Sequence, residues 1–227
     1  MVKELKHVFF DLDHTLWDFE RNSTIAFSEI FKKNKIELEV EVFLKNYTLI
    51  NNFYWAKYRN NQVSKEALRF GRLHDTFQEL NYSVSKNIID TLSDDYITYL
   101  PKNNFLFADA HSTLNYLQQK YYLHVITNGF SEVQNLKIIN SKINHYFKTI
   151  TTSEEAGVKK PHPEIFEYAL KKAKASSQQS LMIGDNLEAD ILGAENYGIK
   201  AILYDDQGVI NYSGTKIKNL KQLLEII

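Results

Sequence analysis

At 227 residues the chain is long enough for one sizeable domain, or for a compact core carrying a smaller inserted one. It is 44% hydrophobic and 24% charged, and no apolar run approaches the roughly 20 residues that cross a bilayer, which argues against a membrane span. The formal net charge of −1 leaves no global positive field to recruit nucleic acid, and the absence of cysteine excludes disulfides, thiolate metal sites and thiol nucleophiles.

The N-terminal MVKELKHVFFD runs straight into an apolar strand, without the apolar stretch and small-residue cleavage site of a signal peptide, so the cytoplasm is the expected location. His7 to Phe10 form that first strand, and Asp11 is where it emerges into a loop. From Asp18 to about Leu100 strand-like runs disappear, and apolar residues recur at helical spacing, as in Ile25, Phe27, Ile30, Phe31 and again in Leu68, Leu73, Phe77, Leu80. This stretch is predicted to be a helical insertion. Ser64 and Ser85 are its candidate N-caps, and Pro101 marks its exit.

Beyond the insertion, strands and helices alternate. Ala110 to Lys120 is a predicted helix, Tyr122 to Thr127 a strand, and Ser131 to Asn140 a helix. Thr149 to Thr151 mark a third, weak strand, Pro163 to Lys174 a helix, and Leu181 to Gly184 a strand. Leu187 to Tyr197 is a helix, Ala201 to Tyr204 a strand, and Lys216 to Ile226 an amphipathic helix. The alternation predicts an α/β fold, a doubly wound parallel sheet with right-handed crossovers. Its core is residues 1–17 and 101–227, with an all-α domain inserted over 18–100.

Ligands of such sheets bind outside the carboxyl ends of the strands, so the polar residues that follow each strand form one candidate set. They are Asp11-Leu12-Asp13-His14-Thr15, Thr127-Asn128-Gly129, Lys159-Lys160-Pro161 before a helix, and Gly184-Asp185-Asn186 with Asp190 beyond. Several carboxylates, a cation and hydrogen-bond donors around one crevice suit a phosphate and a divalent cation. Magnesium selects oxygen ligands and keeps several waters, so a few carboxylates and a carbonyl satisfy it. The seven histidines show no paired spacing for zinc.

The motifs DLDHT, VITNG, KKPHPEIF and IGDNLEAD, in that order from Phe9 to Asp190, closely resemble the four signature motifs of the haloacid dehalogenase superfamily. Any one could arise by chance on a surface loop; four in order at strand ends are specific. The resemblance implies a nucleophile at Asp11 that forms an aspartyl-phosphate, and an acid and then base at Asp13. It implies phosphate binding by Thr127, Asn128 and Lys160. Mg2+ would be held by Asp11, the carbonyl of Asp13 and Asp185, with Asp190 bracing the loop behind them.

A carboxylate approaching a phosphate dianion at about 4 Å meets roughly 8 kcal/mol of repulsion at an effective dielectric of 20, so the metal and Lys160 must offset it. Superfamily members that displace halide lack the second aspartate, so Asp13 favours phosphoryl chemistry. Members that cleave phosphonates use a Schiff-base lysine from the cap; Lys45, Lys57 and Lys65 lie in the insertion, none in a recognised motif.

The wording of DLDHTLWDFE and GAENYGI looks most like the pyrimidine 5′-nucleotidase branch, which implies a small phosphorylated metabolite such as a pyrimidine nucleoside monophosphate as partner, and neither nucleic acid nor membrane. Sugar-phosphate or phosphoglycolate phosphatase and phosphosugar mutase are the enzymatic alternatives. A receiver-like phospho-acceptor or a binding module is the non-enzymatic one. Monomer and homodimer are both compatible with the chain. The insertion is expected to close over the crevice, with hinges near Asp18 to Glu20 and Leu100 to Asn104. Trp17 and Phe19 are expected to shield the site mouth, His14 to serve structurally or at the substrate edge. Most of Phe53, Tyr54, Trp55 and Tyr58 are expected to pack in the insertion's core.

Overall fold

The computed structural model describes residues 4–227 and divides into two compact units, one made of the chain up to Phe19 and from Asn104 to Ile227, the other of Glu20–Asn103.

The first unit is built on six parallel strands: β1 (His7–Phe10), β2 (Tyr122–Thr127), β3 (Phe147–Thr152), β4 (Ser180–Gly184), β5 (Lys200–Tyr204) and β6 (Lys216–Ile217), in the order β3-β2-β1-β4-β5-β6. The central strands are mostly apolar because a parallel sheet with helices on both faces leaves neither face to water, and all four residues of β1 are buried, His7 among them. Phe10, the last residue of β1, lies opposite Val125 on one side and Ile183 on the other, so β2 runs on to Thr127 and β4 to Gly184 beside the loop that begins at Asp11. The strand order reverses beside β1, which makes its carboxyl end the switch point where a crevice opens. Beneath it, Phe9, Ile126, Met182, Ile165 and Phe166 form the centre of one hydrophobic core.

The second unit is helical: α1 (Phe19–Lys33), α2 (Val40–Arg59), α3 (Lys65–Glu79) and α4 (Lys86–Tyr99). Each contributes apolar residues one turn apart to a common centre, Phe27 and Phe31, Phe43 and Tyr47, Leu73 and Phe77, Leu92 and Tyr96, all buried. Their rings meet edge to face or stacked, Phe27 lying 4.7 Å from Tyr47 and 4.5 Å from Tyr96 between centroids. Ser64 and Ser85 cap α3 and α4 through the backbone N–H groups of Ala67 and Ile88. Of the aromatic run in α2, only Tyr58 is buried; Tyr54 and Trp55 are half-buried, and Phe53 is exposed with the Lys57 ammonium over its ring. The expectation of core packing therefore fails for most of the run, because the buried stripe of α2 passes through Phe43, Tyr47, Asn51 and Tyr58, and Phe53 and Trp55 lie off it.

The remaining helices belong to the first unit: α5 (Ala110–Leu117), α6 (Ser131–Asn140), α7 (Ser153–Ala156), α8 (Pro163–Ala173), α9 (Gly193–Asn196) and α10 (Leu223–Ile226). Two sequence expectations are corrected here. Residues 187–197 are not one α-helix but a π-helical turn, Leu187–Leu192, leading into α9. Lys216–Ile226 is not a helix throughout: Lys216 and Ile217 join the sheet as β6, and Asn219 then caps a short 3-10 turn, Leu220–Gln222, before α10. The physical reason is that β5 would otherwise leave an unpaired edge, and the Asp205 N–H donates to the Ile217 carbonyl at 2.8 Å to close it. Among the described residues no helix is long and apolar enough to cross a membrane.

Candidate functional site

Asp11 leaves β1 with its backbone N–H bonded to the Ile183 carbonyl of β4 at 2.8 Å, which fixes it at the switch point. The chain then turns tightly: Leu16 and Trp17 N–H groups both return to the Leu12 carbonyl, and His14 takes a left-handed conformation. His14 packs against Phe19 at 4.8 Å. Trp17 and Phe19 are themselves buried, correcting the expectation that they lie at the mouth as a shield.

Lys160 is a cation almost wholly removed from water. Its ammonium donates to Asp11 Oδ1 and to the Ile126 carbonyl, both at 2.6 Å, and lies 2.6 Å from Asp190 Oδ1. Burial alone would lower its pKa, yet the two carboxylates outweigh that and raise it. Asp190 also accepts the Asn186 N–H at 3.0 Å, and so braces the loop that carries Asp185 as well as pairing with Lys160. Asp185 accepts from the Thr15 hydroxyl at 3.3 Å.

One carboxylate oxygen from each of Asp11, Asp185 and Asp190 lies within 4.8 Å of the others. Burial pushes the Asp11 carboxyl well above its ordinary range, Lys160 pulling it back and Asp190 and Asp185 adding to the rise. Burial and then the Asp190 charge push Asp185 up to about 8. Oxygen donors crowded with negative charge that they hold at a cost are the donor set a hard divalent cation would satisfy.

Thr127 ends β2, buried, its hydroxyl accepting from the Gly129 N–H at 3.2 Å and from Gln134 Nε2 at 2.7 Å. The Asn128 amide nitrogen donates to the Lys160 carbonyl at 2.9 Å and its side-chain oxygen accepts the Lys160 N–H at 2.8 Å, so both ends of the side chain grip the backbone of Lys160.

Two residues absent from the motif reading stand at Asp13. Lys137 donates to Asp13 Oδ1 at 2.6 Å and Gln134 donates to Asp13 Oδ2 at 3.0 Å. Both lie on the buried face of α6, three residues apart. The available signal was a lysine and a glutamine on the same helical face as Val133 and Ile138, but a buried lysine looks like a surface one until its partner, 124 residues away, is known.

A family model described as haloacid dehalogenase-like hydrolase matches residues 5–198. The pyrimidine 5′-nucleotidase YjjG of Escherichia coli (strain K12) is 32% identical over 193 residues, covering 85% of this chain and 82% of that protein. The glyceraldehyde 3-phosphate phosphatase of Methanothermobacter thermautotrophicus is 30% identical over 244 aligned residues, covering 98% of this chain and all of that protein. Among solved structures, YfnB of Bacillus subtilis bound to magnesium superposes with a TM-score of 0.89 at 27% identity, each chain covered to 99%.

Proposed function

The chain belongs to the haloacid dehalogenase-like hydrolases, and from that premise we propose that it is a magnesium-dependent phosphatase of small phosphomonoesters, a pyrimidine nucleoside 5′-monophosphate foremost. The observation that carries this reading is the pairing of Asp11 with buried Lys160 at the switch point, with Asp13 two residues further along the same turn.

In this reading an Asp11 carboxylate oxygen forms a bond to phosphorus as the ester P–O bond breaks, and Asp13 gives its proton to the departing alkoxide. Water then attacks the aspartyl-phosphate, losing a proton to Asp13; the acyl-phosphate P–O bond breaks, releasing inorganic phosphate and restoring Asp11. Lys160 neutralises the phosphoryl oxygens, Thr127 offers its hydroxyl to them, and Asn128 positions Lys160 by holding its backbone. Asp11, Asp185 and the carbonyl of Asp13 are the ligands proposed for magnesium, with Asp190 behind them. When bound, the ion would supply compensation for the charge that nucleophile and phosphate bring together. The helical unit, Glu20–Asn103, is assigned in this reading as the cap domain.

The nucleotide preference is supported by the relative named as a pyrimidine 5′-nucleotidase and by the DLDHTLWDFE and GAENYGI segments. A second reading, a triose- or sugar-phosphate phosphatase with the same chemistry, is supported by the relative named as a glyceraldehyde 3-phosphate phosphatase.

The deciding experiment is phosphate release with and without magnesium across nucleoside monophosphates, glyceraldehyde 3-phosphate, other sugar phosphates and phosphoglycolate, with Asp11→Asn as control. Magnesium-dependent release favouring pyrimidine monophosphates is expected, with Asp11→Asn folded and slower by roughly 10³-fold or more. Preference for a sugar phosphate would keep the mechanism and replace the substrate. Near-normal turnover by Asp11→Asn would remove the proposed nucleophile.

A further inference from the structure

We propose that Lys137 and Gln134 of α6 are positioning residues for the acid–base aspartate: together they hold the Asp13 carboxylate at both oxygens and tie it to the phosphate-facing Thr127. This rests on the reading of Asp13 as the group that protonates the leaving oxygen. Asp13 sits in a loop, and a carboxylate on a loop rotates about its side-chain bonds unless something holds it. Here Lys137 Nζ takes one oxygen at 2.6 Å and Gln134 Nε2 the other at 3.0 Å. The same Gln134 nitrogen donates to Thr127 Oγ1 at 2.7 Å, so one amide group sets the spacing between the acid and the end of β2.

The clamp is itself buried. Lys137 is 2% exposed, its ammonium 4.2 Å from the centre of the Trp17 ring and 5.2 Å from that of Phe19. Aromatic faces attract a desolvated cation, and here they enclose it from the side of the turn that carries Asp13. Gln134 is buried as well. A buried lysine is costly unless paired, and pairing on Asp13 places that charge where the orientation of the acid is decided. A carboxylate has about four lone-pair sites, so two donors fix its plane and leave capacity for the proton that passes to the leaving group. Correct orientation of an acid over its acceptor is the kind of term that contributes to the first chemical step and not to binding.

The test separates orientation of an acid from general damage by varying the leaving group. Uridine 5′-monophosphate or glyceraldehyde 3-phosphate, whichever the enzyme turns over faster, must lose an alkoxide that needs a proton; 4-nitrophenyl phosphate loses a stabilised phenolate that does not. Leaving-group release is measured in the first turnover, before hydrolysis of the aspartyl-phosphate, for wild type, Lys137→Met, Lys137→Arg and Asp13→Ala with magnesium present. Lys137→Met is expected to slow the alkyl substrate by about 10- to 100-fold and the aryl one by less than about threefold, with KM little changed and Lys137→Arg recovering most of the loss. Equal slowing of both substrates by Lys137→Met, alongside leaving-group dependence in Asp13→Ala, overturns the positioning role and leaves the acid assignment standing. Absence of leaving-group dependence in Asp13→Ala overturns both. If Lys137→Met does not fold, Gln134→Met is read by the same criterion, since it removes one donor without stranding a charge.

Discussion

The two units of the molecule bury opposite kinds of chemistry. At the strand ends of the first unit, Asp11, Lys160, Asp190 and Lys137 are taken out of water in ion-paired contact. The centre of the helical unit is a cluster of rings, and Arg72, buried among them, bonds to Asn51 at 3.0 Å and faces the Tyr96 ring at 5.0 Å. Apolar burial is non-directional and stabilises wherever rings meet, whereas buried charges stabilise little and persist only as complete sets. The helical unit is therefore expected to tolerate conservative repacking, while the strand-end site tolerates almost no single removal.

The sharpest way to break this contrast is Lys160→Ala, which strands two buried carboxylates. Turnover is expected to fall by roughly 10²–10³-fold, and inhibition by inorganic phosphate to weaken, both read in steady-state kinetics. Unfolding in urea without magnesium should show a loss of about 3–5 kcal/mol. In the helical unit, Phe27→Ala opens a cavity among Phe43, Tyr47 and Tyr96 and should cost about 3–5 kcal/mol, with no buried charge left behind. Hydrogen exchange is the discriminating measurement: amides of α1–α4 should lose protection, and those of β1 and β4 should keep it.

A smaller effect comes from within the sheet. His7 and His124 lie side by side in β1 and β2 with ring nitrogens 3.1 Å apart, and His124 also meets the Thr149 hydroxyl at 2.8 Å. Burial, and then the His7 charge, lower the His124 pKa to about 3. The unfolded imidazole takes its proton near pH 6.5, so below that value the unfolded chain binds more protons and stability falls by roughly 1.4 kcal/mol per pH unit from this group. Above pH 6.5 its contribution is flat. Asp185 acts with the opposite sign, because its raised pKa makes the fold gain protons as pH falls through about 8. The difference between urea midpoints of wild type and His124→Gln from pH 7 to 5 isolates the histidine term, and should shrink as pH falls. Smallest of all, Ser64→Ala and Ser85→Ala should each cost about 1 kcal/mol in thermal unfolding, having only an exposed cap to lose.

Much of this was legible in the sequence, because it depends on short-range patterns. The apolar runs that become β1, β2 and β4 end at Asp11, Thr127 and Gly184-Asp185, and the sheet rule alone brings those ends together. Helical spacing from Ile25 to Leu80 was likewise local, and so were the serine caps. Tertiary structure decided what needed a distant partner. Tyr54 follows Tyr47 by two turns on the same side of α2 yet stays half-buried, since neighbouring helices decide how far along its length the stripe is covered. Ile217 reads as helical until the open edge of β5 offers it backbone bonds. Asn128 carries a polar amide suited to a ligand, and only the fold shows that the Lys160 backbone takes both its ends. Lys137 reads as a surface charge until α6 sets it against Asp13, because a side chain's sequence specifies its charge and reach, while the fold determines which opposite charge lies within that reach.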